Sequence, residues 1–143
     1  MDKLVTSFEC LKLLGSPYSE KTMVLFDVPT ELEIGAIPKK IYCNRLLVKP
    51  LTIALENVKN RALSNYILTW DGCFNIRSKR GATTFSLHSW GLAIDINSAH
   101  NRFGSVPTMD PRLVKCFTDA GFHWGGKWDK PDGMHFQIAR LEP

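Results

Sequence analysis

The feature that most restricts the fold of this chain is a pair of short segments in which histidine stands near aspartate. SLHSWGLAIDIN holds His88 and Asp95, and DGMHFQ holds Asp132 and His135. Neutral imidazole nitrogen and carboxylate oxygen are the usual protein donors to a catalytic zinc ion, which takes three protein ligands and keeps one position open. Two histidines and one aspartate meet that number. Seven residues of extended strand would hold His88 and Asp95 about 23 Å apart, and a helix would leave roughly 10 Å. Donors to a single zinc lie only about 3 Å from one another. The backbone therefore has to fold back between them, and Gly91 is the residue that permits it, because glycine reaches conformations closed to other residues. The expectation is His88 on a loop and Asp95 in the strand after it.

Asp132 precedes His135 by three residues and is not needed as a donor. A free carboxylate beside metal-bound water suits general base work, since zinc already lowers the pKa of that water to about 7. Asp132 is the expected base. Arg77 offers a guanidinium for a developing oxyanion or a substrate carboxylate, or else is a solvated loop charge. Trp90, Trp124 and Trp128 are candidates for substrate walls and equally for core or rim aromatics. His100 and His123 read as surface or hydrogen-bonded residues.

The rest of the chain predicts an α+β fold in one domain spanning 1–143, with a small antiparallel or mixed sheet and helices packed on it, because helices and strands mix without strict alternation. Leu4, Phe8, Leu11 and Leu14 recur at helical spacing and predict a first helix with that face buried. Ile41 to Cys43 and Leu46 to Val48 read as strand, and 29–38 as loop. Pro50 reads as the first-turn residue of a second helix with a stripe of Leu51, Ala54, Leu55, Val58, Ala62 and Leu63. Strand is expected at 66–70, 73–76, 93–97 and 134–138. Asp110-Pro111 reads as cap and first turn of a third helix that Gly121 ends.

Composition excludes more than it identifies. A chain of 143 residues, 44% hydrophobic and 22% charged, is an ordinary folded domain. The formal charge of +4 is scattered, without a basic helix or an aromatic-interleaved patch, so no nucleic-acid partner is expected. No stretch is apolar enough for a membrane span. Glu9 and Lys12 interrupt the apolar amino terminus, so no signal peptide is expected, and synthesis in the cytoplasm follows. The four cysteines show no CxxC spacing and read as buried or free thiols.

Taken together, Ser86-x-His88, six residues, Asp95, then Asp132, two residues, His135 resembles the pattern of the zinc D-Ala-D-Ala carboxypeptidases and dipeptidases. Within that family it is most similar to phage endolysins that act as L-alanyl-D-glutamate peptidases. Gly91 and Ala93 in the first motif, CFNIR before it and GFHWGGKW before DGMHF support the resemblance, which covers about residues 40 to 140. It implies zinc held by His88, Asp95 and His135, attack by zinc-bound water with Asp132 as base, and Arg77 assisting at the substrate carbonyl. It also implies that Ser86 lines the site and Trp124 meets the substrate. Small size, the missing signal and aspartate in place of the dipeptidases' glutamate favour the endolysin branch. The implied protein is a monomer made in a host cytoplasm, acting on bacterial peptidoglycan after release. The alternatives are a D-Ala-D-Ala carboxypeptidase or dipeptidase on the same scaffold and a non-enzymatic, zinc-stabilised cell-wall-binding module.

Overall fold

In the computed structural model, which describes residues 3–142, the expected α+β organisation is present. The ends of the 1–143 span, Met1, Asp2 and Pro143, lie outside the described residues. Helix α1 (Ser7–Leu14) is closed by a capping box in which the Thr6 hydroxyl accepts from Glu9 N while the Glu9 carboxylate accepts from Thr6 N. Its buried face is Ser7, Cys10 and Leu14. This corrects the predicted stripe: Phe8 is 73% exposed, and Leu4 and Leu11 also face outward. Strands β1 (Met23–Asp27) and β2 (Lys40–Asn44) pair antiparallel as a separate two-stranded sheet. β1 has no counterpart in the sequence prediction.

Helix α2 (Arg45–Asn60) follows β2 directly, its amino terminus capped by the Asn44 side chain accepting from Leu46 N. Leu46 to Val48 are therefore helical, not strand, and Pro50 lies inside the helix instead of opening it. The buried stripe runs back to Leu47, continuing through Leu51, Ala54, Leu55 and Val58, all removed from solvent. That face outweighs the backbone hydrogen bond Pro50 cannot make.

The second sheet has the order β3-β4-β6-β5, every pair antiparallel, and comprises β3 (Trp70–Gly72), β4 (Ala93–Ile96), β5 (Phe122–Trp124) and β6 (His135–Ile138). Residues 66 to 69 and 73 to 76 lie outside it. Tyr66 ends a 3₁₀ turn, and the buried Asn97 side chain takes the N–H groups of Leu68 and Thr69 that a partner strand would have used. Helix α3 (Pro111–Thr118) is capped by Asp110 as predicted, its side chain accepting from Arg112 N. It ends before Gly121, whose φ of 106° turns the chain into β5. Ile94, Ile96 and Phe136 on one face of the sheet join α2 and α3 in the main core. A second cluster packs α1 against Leu87, Trp90 and Leu92. Among the described residues no helix is long and apolar enough to cross a membrane.

Candidate metal centre and its cleft

The strand alternation that sends Ile94, Ile96 and Phe136 into the core places Asp95, His135 and Gln137 on the other face. The register sets Asp95 opposite His135 and Ala93 opposite Gln137. His88 reaches this face from a 3₁₀ turn, Leu87–Trp90, whose cap is Ser86: its hydroxyl accepts from His88 N at 3.3 Å. The chain then folds back at Gly91, at φ 66° and ψ 30°, as the spacing required. A side chain has no room there, because a Cβ would lie 2.7 Å from Asn44 N. Asn44 completes the anchor, donating from its backbone N–H to Gly91 O and from Nδ2 to Trp90 O.

The outcome is convergence. Donor atoms of His88, Asp95 and His135 all lie within 4.8 Å of one another. His88 Nε2 is 3.1 Å from Asp95 Oδ2, His135 Nδ1 is 3.5 Å from Asp95 Oδ1, and the two ring nitrogens are 3.2 Å apart. Both histidines are at least 95% buried.

Hydrogen bonds behind the rings fix which nitrogens carry protons. His88 Nδ1 lies 2.7 Å from the Cys73 carbonyl oxygen, which only accepts, so the proton is on Nδ1 and Nε2 presents a lone pair. His135 Nε2 likewise donates to Gln137 Oε1 at 2.9 Å, which leaves a lone pair on Nδ1. Asp95 Oδ1 is buried without a hydrogen-bond partner. Three acceptors thus meet with no proton among them, an arrangement that is repulsive unless a cation sits between. Two imidazoles and a carboxylate suit a divalent transition metal.

A cleft of about 380 Å³ opens beside the cluster, lined by Arg77, Ser86, Trp128, Asp132, His135 and Gln137 among others. Asp132 is held by its backbone: its N–H donates to Gly125 O at 2.9 Å, and its carbonyl accepts from His135 N at 3.1 Å. Gly125 permits this approach, since a Cβ there would meet Asp132 O at 2.8 Å. Asp132 Oδ1 is buried and unpartnered. Burial pushes the carboxyl above its ordinary value and the charge of Asp95 adds to that, against the pull of His135 and Arg80.

Arg77 reaches the cleft from a backbone clamped by Ser89, whose hydroxyl accepts from Arg77 N at 3.1 Å and donates to Arg77 O at 3.0 Å. Trp124 does not line the cleft: it donates to Gly133 O at 2.8 Å and packs on the core beside Phe136. Trp128 is an aromatic wall of the cleft, 5.3 Å from the His135 ring and donating to His123 Nε2. Gln137, Ser89 and Asn44 were passed over in the sequence. A signal existed for Gln137: two residues beyond His135 on a strand, it must share that histidine's face.

Residues 80–138 match a family model described as D-alanyl-D-alanine carboxypeptidase. The matched segment contains Ser86, His88, Asp95, Asp132 and His135, with Arg77 three residues ahead of it. The match supports a metallopeptidase of that kind. No curated protein and no solved structure matches the chain.

Proposed function

We propose that this protein is a zinc-dependent peptidoglycan peptidase of the endolysin type, hydrolysing the amide bond between L-Ala and D-Glu of the stem peptide. The observation that carries the reading is the convergence of His88 Nε2, His135 Nδ1 and Asp95 as unprotonated donors beside a cleft that His135 lines and that also holds the carboxylate of Asp132, whose Oδ1 is unpartnered. His88, Asp95 and His135 would hold the ion, which when bound supplies Lewis acidity to the substrate carbonyl and makes water acidic enough to react near neutral pH. Asp132, its carboxyl pushed above the ordinary value by burial, accepts a proton from the attacking water and hands it to the leaving amine. Arg77 steadies negative charge growing on the carbonyl oxygen. A structural metal site would close with a fourth protein ligand; among the described residues no fourth histidine, cysteine or carboxylate joins the cluster, and a cleft opens beside His135.

Aspartate at the base position favours the endopeptidase branch. The description of the matching family model favours the second reading, release of a terminal D-Ala. Mass spectrometry of purified peptidoglycan digested by the zinc-loaded protein, with Asp132→Ala as control, separates them. New amino termini at D-Glu, absent from the control, establish the endopeptidase. Released D-Ala moves the protein to the carboxypeptidase branch, and intact peptidoglycan rejects both in favour of a binding module.

A further inference from the structure

The charged residues lining the cleft are Arg77, Lys79, Arg80 and Lys130 against Asp129 and Asp132. Among the described residues none of the four cations has a carboxylate within ion-pair distance. An excess of unpaired positive charge in a concave, partly apolar site attracts anions and raises their local concentration. Two of these cations are also placed. The Arg80 guanidinium carbon lies 5.2 Å from the centre of the Phe103 ring and the Lys130 ammonium 4.8 Å from it, so one aromatic holds both.

The platform beneath them is fixed. Phe103 lies two residues after Asn101, which is buried and whose Oδ1 accepts from Thr108 N and Met109 N while its Nδ2 donates to Asn97 O. Gly104 N donates to Pro131 O at 2.6 Å, which ties the Phe103 loop to the loop carrying Lys130 and Asp132. Arg80 arrives from the turn after Arg77, where Lys79 N donates to Thr84 O. Like charges gathered over one ring repel unless an anion lies between them, and among the described residues no carboxylate forms an ion pair with either.

We propose that Arg80 and Lys130, held over Phe103, form a subsite for a substrate carboxylate carried on the carbon next to the scissile amide nitrogen. This rests on the peptidase reading and specifies its substrate: the residue that leaves must be a free acid there, as D-Glu in a stem peptide or a terminal D-Ala is, and its primary amide is a poor substrate. The carboxylate takes charge-assisted hydrogen bonds from the two cations, which keeps the leaving nitrogen within reach of Asp132.

The test compares two L-Ala–D-Glu peptides, one with the free α-carboxylate and one with the α-carboxamide, using zinc-loaded protein. The expected result is a preference in kcat/KM for the acid of about tenfold or more. It collapses toward one in the Arg80→Gln/Lys130→Gln double variant and survives in Arg80→Lys/Lys130→Arg, which keeps the charge. A terminal D-Ala-D-Ala peptide and its amide, run alongside, decide which source of carboxylate is used. Equal cleavage of acid and amide by the unaltered protein, or a preference that the glutamine variant retains, overturns the subsite while leaving the peptidase standing. If neither peptide is cut, the peptidase reading fails, and calorimetric titration of the two uncut peptides decides the subsite alone: binding that requires the carboxylate supports it, and equal or absent binding overturns it.

Discussion

Asp95 and His135 are direct cross-strand partners, opposite one another in the β4–β6 ladder, with their side chains on the face away from the main core. Two of the three candidate metal donors are therefore placed by strand register. Asp95→Asn keeps the shape and removes the charge. Its expected effect is a loss of zinc affinity of roughly a hundredfold or more, measured by competition with a chromophoric chelator. For the unaltered protein, zinc at a thousandfold excess over its dissociation constant adds about 4 kcal/mol to unfolding stability, and a chelator removes that increment. An unchanged affinity in the variant rejects Asp95 as a ligand.

Gln137 sets the protonation of His135 by accepting from Nε2. Gln137→Met removes the acceptor at similar volume and weakens zinc binding about 10-fold to 100-fold, with an altered visible spectrum when cobalt replaces zinc. Gln137→Glu preserves the acceptor and restores binding. If Met and Glu behave alike, the hydrogen bond does not control the ligand.

Asp132 presents the opposite balance between stability and activity. Burial raises its folded-state carboxyl above the ordinary value of 3.8, so the folded protein holds that proton more tightly than the unfolded chain. The associated stability is present below pH 3.8 and declines as pH rises through and beyond it. Asp132→Asn keeps a neutral group there at every pH. The metal-free variant should be more stable than its parent at pH 7 by thermal unfolding, and the zinc-loaded variant should be inactive while retaining its metal. A variant less stable at pH 7 contradicts the burial argument, and an active one removes Asp132 as base.

Gly91→Ala forces a side chain into a left-handed backbone and against Asn44 N. The expected cost is about 1 to 3 kcal/mol in urea unfolding, together with weaker zinc binding because His88 sits on the turn that must shift. A stability change within a few tenths of a kcal/mol shows that the turn can relax.

The four cysteines are unpaired and buried, and burial pushes the Cys10 and Cys43 thiols up to about 12. The thiolate is the reactive form, so a thiol reagent at pH 8 should leave the folded protein unmodified and label four groups in denaturant. Rapid labelling of the folded state would show that these sites open.

Much of the site was readable because its chemistry demands particular residue types at particular spacings. The His88, Asp95 and His135 segments, the reversal at Gly91 and the Asp110 cap are all in the structure. What escaped was decided by tertiary packing. Pro50 is a good first-turn residue, and nothing local tells that Asn44 already caps the helix one turn and more upstream; only the stripe reaching back to Leu47 does. In α1 the expected stripe was Leu4, Phe8, Leu11 and Leu14, of which Leu14 is buried; the small Ser7 and Cys10 take the rest of the inner face because α1 lies close on the Leu87–Trp90 turn. Tyr66 to Trp70 has strand composition, yet Asn97 from a distant segment satisfies its backbone and keeps most of it outside the sheet. Trp124 and Trp128 stand four residues apart, and composition alone could not say which one faces the cleft.

The β4–β6 register makes correct assembly self-checking. Sliding one strand by a single residue would put Asp95 or His135 where Ile94 and Phe136 belong, exchanging buried apolar surface for buried unpaired charge. The pairing that gathers the apolar residues also sets Asp95 opposite His135, so a molecule with a sound core has these two candidate donors aligned without any separate selection for them, while His88 depends on the Leu87–Trp90 turn. Damage to these strands should therefore abolish folding and metal capture together, whereas the loops bearing Asp132, Arg80 and Lys130 are free to be retuned for new substrates one side chain at a time.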